Sequence, residues 1–309
     1  MTLPHTPEAY WTSYEERDPI EDLSDLLSHI EYVGTQSDFT VWRGVSDHRW
    51  GLHSSLRRYI VRRGLPPPNE TELANEEARI LRQAREWGLN RAPSALSGLE
   101  LIAKLQHSGS PTRLIDATHD PLVAAWFATS MAPEPDPRPA DYTEPDGRLF
   151  AMDHTNRQLA DDGQPEPIWR RDRWAGELEN ATWVWTPPPI DSRMAAQSGA
   201  FLVGQAPTAT ATQWYNSGDP RSRYIESEMR ELTSIPIRAY KKIAPGATLR
   251  QNPLVSVRIG GGAKAHLRAS IEKTFNLSPQ RLFPDVFGLA DHIRGRLAAP
   301  RDIAASDNA

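Results

Sequence analysis

The sequence predicts an α+β fold: one domain of interleaved helices and strands, preceded by a short helical extension. Three observations predict it. Segments with apolar residues every three to four positions alternate with short runs of β-branched and aromatic residues. No internal repeat is visible, and no low-complexity linker divides the 309 residues. A chain of this length suits one large domain or two ordinary ones at roughly 100–200 residues each. With 39% hydrophobic and 24% charged residues it has apolar material for a sizeable core.

The elements follow in order. Asp18-Pro19 before IEDLSDLLSHIEYV predicts a capped amphipathic helix within the extension, residues 1–37. DFTVWRG, residues 38–44, predicts a strand. Beyond a Pro-rich turn, TELANEEARILRQAREWG predicts a helix to about Trp87, with Thr and Glu at its start, and SALSGLELIAKLQHSG a second ending at Gly109. PTRLID, residues 111–116, is short and bounded by turn residues, as a buried strand would be. Asp120 as N-cap and Pro121 at the first position open a further helix, LVAAWFATSM. Residues 132–147 hold five prolines and several acids and predict a surface loop. RLFAMD, ATWVWTPPP, FLVGQ and LVSVRI are the remaining strands. GAKAHLRASIEKTF and PQRLFPDVFGLADHIRGRL are the closing helices, before a flexible tail at 299–309.

Composition excludes several chemistries. Without cysteine there is no disulfide framework, no thiolate-held zinc and no cysteine nucleophile. The nine histidines show no HExxH or comparable metal spacing, so no metal is expected, and no GxxxxGK[ST] loop occurs. No apolar run approaches the ~20 residues of a membrane helix, and no signal peptide is evident, so a soluble cytoplasmic protein is expected. The net charge of −5 gives no whole-molecule attraction to nucleic acid; binding would need a local patch. Thirty arginines against five lysines reflect either composition bias or a use of guanidinium groups for gripping phosphates and stacking on bases.

Three constellations could carry chemistry. Arg43-Gly44 ends the first strand; a charge there needs a partner, and a glycine after it lets a ligand approach the backbone. A salt bridge to a core acid before a tight turn is the structural alternative. The stretch 106–128, QHSGSPTRLIDATHDPLVAAWFA, gathers Gln106, His107, Thr112, Arg113 and Asp116 around a Gly-Ser-Pro turn, and such polar groups must bond each other or a ligand. An Arg113–Asp116 pair locking the turn is the alternative. In WRGVSDHRWGLHSSLRR, residues 42–58, Arg43, Arg49, Arg57 and Arg58 interleave with Trp42 and Trp50, a mix suited to unpaired nucleic acid. A surface loop whose tryptophans complete the core would look the same. The Thr-, Gly- and Gln-rich stretch 201–220 is either a substrate-facing loop or a plain connector.

WRG, QHSGSPTRLIDAT with PLVAAWFA, RMAAQSGAF and LFPDVFGLADHI occur in the order seen in the FRG-domain family, which the chain resembles over about residues 38–293. Trp42 and Ala117 stand where that family usually has Tyr or Phe and Trp. The expected FRG domain is residues 38–298. The pattern order also resembles ADP-ribosyltransferases, which implies a mixed or antiparallel split sheet flanked by helices and NAD+ as substrate. In that resemblance Arg43 seats the dinucleotide and the Gly44 backbone meets the nicotinamide amide. Thr118 is then the hydroxyl of the second strand, with Thr112 and Arg113 completing a cofactor cleft. Cleaving the nicotinamide–ribose bond passes through an oxocarbenium-like cation, so an acceptor group must stand near the ribose. The transferases place a glutamate late in the chain, where this sequence has Gln197-Ser198-Gly199. Gln197, Asp116 and Glu228 of the Glu226-Ser227-Glu228 triplet are therefore all candidates. Periodicity favours a solvated helix face for that triplet. His107 is a histidine, the side-chain type whose unperturbed pKa lies near neutrality, and could orient substrate or shuttle a proton. The implied function is base ADP-ribosylation of DNA or RNA in a toxin or phage-defence setting, with an antitoxin or hydrolase as partner. NAD glycohydrolase activity and a non-catalytic nucleotide- or nucleic-acid-binding module are the alternatives.

Overall fold

The computed structural model describes residues 6–15, 17–37, 40–90, 96–132, 142–167, 169, 177–179, 181–188, 192–208, 224–240 and 253–294. The tail at 299–309, most of the 132–147 loop and residues 209–220 of the 201–220 stretch lie outside them.

Among the described residues the strands are β1 (Thr40–Val45), β2 (Ile115–Thr118), β3 (Gly147–Asp153), β4 (Trp183–Trp185), β5 (Gly199–Val203), β6 (Arg238–Ala239) and β7 (Pro253–Ile259). They form one open sheet in the order β4-β5-β2-β1-β3-β7-β6, antiparallel except where β6 joins β7 in parallel. The helices are α1 (Pro7–Ser13), α2 (Leu23–Gln36), α3 (Ser55–Arg62), α4 (Glu70–Glu86), α5 (Gly98–His107), α6 (Pro121–Ala128), α7 (Ser192–Ala196), α8 (Glu226–Leu232), α9 (Lys264–Phe275), α10 (Pro279–Leu282) and α11 (Val286–Ile293). The α+β class follows directly.

Alternation along the central strands makes two cores, because successive side chains point to opposite faces. Trp42, Leu149, Ala151, Val255 and Val257 pack with apolar residues of α2, α6 and α9. Val41, Val45, Phe150, Met152 and Leu254 pack on the other face with Tyr10 and Trp11 of α1 and Met229 and Leu232 of α8. The N-terminal helices thus contribute to both cores. Arg148, fully buried, ties α1 to the sheet through Glu15 and Thr12.

Several boundaries differ from the sequence reading, each for a tertiary reason. The first long helix is capped by Asp22, whose side chain accepts from Asp25 N–H at 2.9 Å, rather than by Asp18. Ile20 is taken by the sheet edge, donating to the Arg258 carbonyl and accepting from Gly260 N–H. The Glu70–Glu86 helix starts one residue before Thr71, with Asn69 as its N-cap and Glu72 completing a capping box. β2 begins at Ile115, not Pro111, because Thr112 is bonded to Ser55 and Leu56 at the start of α3. The last predicted helix is two, broken at Phe283-Pro284, since the residue before a proline leaves the helical region; Phe283 has φ −129° and ψ 65°.

Candidate active site

β1 and β2 are sheet neighbours, yet their ladder consists of the single pair Trp42↔Thr118, while β1 pairs with β3 at six positions. Beyond that pair the two strands part. A cavity of about 260 Å³ occupies the opening. Its walls come from five places in the sequence. β1 supplies Trp42, Arg43 and Gly44, and the end of α5 supplies Gln106 and His107. β2 supplies Asp116, Ala117 and Thr118, backed by Val123, Ala124 and Phe127 of α6. Arg193 and Gln197, at and just after α7, and Phe283 between α10 and α11 complete it.

Arg43 spans the opening and donates through Nη1 to the Asp116 carbonyl oxygen. Its Nε is buried without a partner, and among the described residues no carboxylate is within ion-pair distance of it. Burial lowers its pKa, and the Asp116 charge opposes that in part. A guanidinium so placed has unused N–H capacity for an anion.

The Asp116 carboxylate is exposed to the cavity and accepts a bond from Gln106 Nε2. Gln106 is itself oriented by the Thr112 hydroxyl, which donates to its Oε1. Gln106 is a site residue to which the sequence reading gave no role. Thr112 acts behind it, outside the cavity. The Thr118 hydroxyl is engaged within the protein: it donates to the Gln197 carbonyl at 2.6 Å and accepts from Asp120 N–H at 2.9 Å. Asp120 in turn caps α6 through Leu122 N–H at 2.8 Å. Gln197 donates through Nε2 to the Leu282 carbonyl at 3.0 Å. His107 lies 6.1 Å from the Phe201 ring, centroid to centroid.

Gly44 has a reason other than ligand access. A Cβ built there would lie 1.8 Å from the Ala124 carbonyl oxygen and 2.7 Å from Ala128 N, so the glycine lets α6 lie against β1. Its backbone still faces the cavity.

Other candidates stand outside the cavity lining. Arg113 is buried beside Glu77, at 3.0 Å, and Glu70, at 2.9 Å, with its guanidinium 4.8 Å from the Trp169 ring centroid. Two acids and an aromatic face occupy it, so it neither pairs with Asp116 nor faces the cavity. Glu228 accepts from Ile225 N–H at 2.9 Å and caps α8, on the helix face that periodicity favoured. Arg57 is buried between the Arg230 carbonyl and Glu231. Arg49 pairs with Asp47, its Nε 2.8 Å from Oδ1. Trp42 is a core residue, 4% exposed, that also lines the cavity, and Arg49, Trp50 (42% exposed) and Arg58 are the outward members of the proposed nucleic-acid stretch. Desolvation and the neighbouring Arg43 charge lower Arg58 to about 10, so it stays cationic at neutral pH within electrostatic reach of Arg43 and Asp116.

The sequence reading assigned no role to Arg193, Phe127 or Phe283. Arg193 and Phe283 fall in the RMAAQSGAF and LFPDVFGLADHI blocks, which carried a signal of resemblance without indicating that they meet. Arg193 grips Asp285 with two arms, Nε–Oδ2 and Nη2–Oδ1 both 2.9 Å, and lies 4.9 Å from the Phe283 ring centroid. Burial raises the Asp285 carboxyl, but bonds from Arg193 and Gly288 N–H bring it below its usual range.

Among the described residues no group of three His, Asp or Glu is placed to hold a metal ion, and no helix is long and apolar enough to cross a membrane. Residues 38–136 match the family model of the FRG domain. That range holds Arg43, Gly44, Gln106, Asp116 and Thr118, and ends before Arg193, Gln197 and Phe283. No curated protein and no solved structure matches the chain.

Proposed function

From the premise that this chain carries an FRG domain, we propose that it is an NAD+-dependent ADP-ribosyltransferase of ADP-ribosyltransferase-like fold, with a nucleic-acid base as acceptor. The observation that carries the reading is the cavity in the β1–β2 opening, where Arg43, with unused N–H capacity, stands beside Asp116, whose carboxylate lines the same cavity. Arg43 holds the diphosphate. At about 260 Å³ the cavity falls below the ~300–1,000 Å³ of pockets for drug-sized ligands. It therefore takes one heterocycle–ribose half of the dinucleotide, and the rest runs out past Arg43 toward Arg58. In the reaction the ribose C1′–nicotinamide bond breaks and its electron pair leaves with nicotinamide. A base nitrogen or oxygen bonds to C1′, and its proton passes to the Asp116 carboxylate, which Gln106 and Thr112 orient. Gln197 lies beside the ribose. A negative carboxylate close to the developing cation favours its formation. The toxin or defence setting, and an antitoxin or hydrolase partner, belong to the same proposal.

Incubation with NAD+ and single- or double-stranded oligonucleotides, followed by mass analysis, tests it. A mass gain of one ADP-ribose that disappears in a folded Arg43→Ala variant supports the transferase. Nicotinamide release without acceptor labelling leaves a glycohydrolase. Binding with neither points to the non-catalytic module, a reading favoured by one specific observation: among the described residues no glutamate lines the cavity.

A further inference from the structure

Among the described residues two arginines line the cavity, in opposite electrostatic states. Arg43 has no carboxylate at ion-pair distance among the described residues, and its Nε is buried without a partner. Arg193 is already neutralised: Nε and Nη2 are both committed to Asp285 at 2.9 Å. Asp285 is fixed in its turn by Gly288 N–H at 2.6 Å, as the cap of α11. The guanidinium lies over the Phe283 ring, 4.9 Å from its centroid, and that ring, also at the cavity wall, is edge-on to Phe127 at 5.9 Å. A guanidinium held in plane by two bonds and layered on an aromatic ring is a rigid flat surface, and Arg193 lines the cavity. What it has left to offer a ligand is that flat face and Nη1, since its charge is already balanced.

We propose that Arg193, layered on Phe283 and held by Asp285, is a stacking platform for the planar heteroaromatic ring of the ligand, while the anionic part goes to Arg43. Guanidinium planes stack on bases as they do on aromatic side chains. Phosphate would have to displace Asp285 to gain the same arginine. The proposal deepens the transferase reading and rests on it only for whose ring is bound: a base of the dinucleotide or an unpaired base of the acceptor.

Titration calorimetry on the full chain tests it with AMP, nicotinamide mononucleotide, a short single-stranded oligonucleotide and, as the ring-free probe, inorganic pyrophosphate. Arg193→Lys keeps a cation opposite Asp285 but loses the plane. It should weaken at least one ring-bearing probe about tenfold and leave pyrophosphate unchanged, whereas Arg43→Gln should weaken pyrophosphate. Phe283→Leu, which removes the ring layered on the guanidinium without altering charge, should give the same selective loss and serves if the lysine variant fails to fold. The probe affected identifies the ring's owner. Equal weakening of pyrophosphate, no difference between wild type and variant, or no binding of any ring-bearing probe to the wild type overturns the platform. A selective loss in a protein that releases no nicotinamide from NAD+ keeps the platform and removes the transferase reading.

Discussion

Arg43 and Asp116 meet where the sheet opens: the guanidinium donates to the Asp116 backbone carbonyl in the stretch where the β1–β2 ladder has ended. A side chain thus stands where a strand-to-strand hydrogen bond would otherwise be, and it holds the cavity's cation beside its carboxylate. Hydrogen bonds to charged groups contribute about 1.5–3 kcal/mol each. Arg43→Ala is therefore expected to weaken ADP-ribose binding roughly ten- to a hundredfold with the circular dichroism spectrum retained. Unchanged affinity by calorimetry would remove Arg43 from the site.

Gly44→Ala should act on stability before it acts on binding. The added methyl would meet the backbone of α6 at Ala124 and Ala128, which cannot turn aside as a side-chain tip can. Overpacking of this kind typically costs about 1–3 kcal/mol, and a clash with backbone falls at the upper end. Urea unfolding should show the midpoint falling accordingly; a variant as stable as the wild type would mean that α6 and β1 are not in this contact.

Arg113 should behave as a stability residue. Arg113→Ala leaves Glu77 and part of Glu70 buried without their cation, a loss of about 3–5 kcal/mol. Wild-type stability, or a selective loss of ligand binding from a folded Arg113→Lys protein, would contradict the buried pairing.

Glu228→Gln should leave any nicotinamide release at the wild-type rate and lower stability by no more than about 1 kcal/mol, because the carboxylate serves the Ile225 N–H of a helix start. A large loss of turnover with intact folding would return Glu228 to the catalytic candidates.

His29 predicts an acid-sensitive fold. Burial, reinforced by the charge of Arg17, lowers its pKa to about 4 against an ordinary 6.5. Above pH 6.5 it is neutral in both folded and unfolded chains and costs nothing. Between 6.5 and 4 the unfolded chain takes up the proton first, so stability falls with falling pH, by about 3 kcal/mol over the window. Melting temperatures at pH 7.5 and 4.5 should differ less in His29→Gln than in the wild type; equal differences would refute the assignment.

Much of the fold was legible locally. Asp120-Pro121 caps α6 as read, and the Gly98–His107 helix ends within two residues of Gly109. The strands expected at RLFAMD and LVSVRI are present as β3 and β7. The candidate site was legible in part. Arg43, Gly44, His107, Asp116, Thr118 and Gln197 share one cavity, but Arg113, from the most distinctive polar stretch, has two acids of α4 as partners. Nothing within residues 106–128 could reveal that, because Glu70 and Glu77 come from a helix outside that stretch.

By itself the sequence determined the periodicities, caps and turn residues, and so the α+β class and the residue types available to a site, since these depend on neighbours a few positions away. Only the tertiary structure decided which arginine is neutralised and which is open. Charge state and direction depend on acids and carbonyls that arrive from distant segments: Asp116 for Arg43, Glu77 for Arg113, Asp285 for Arg193.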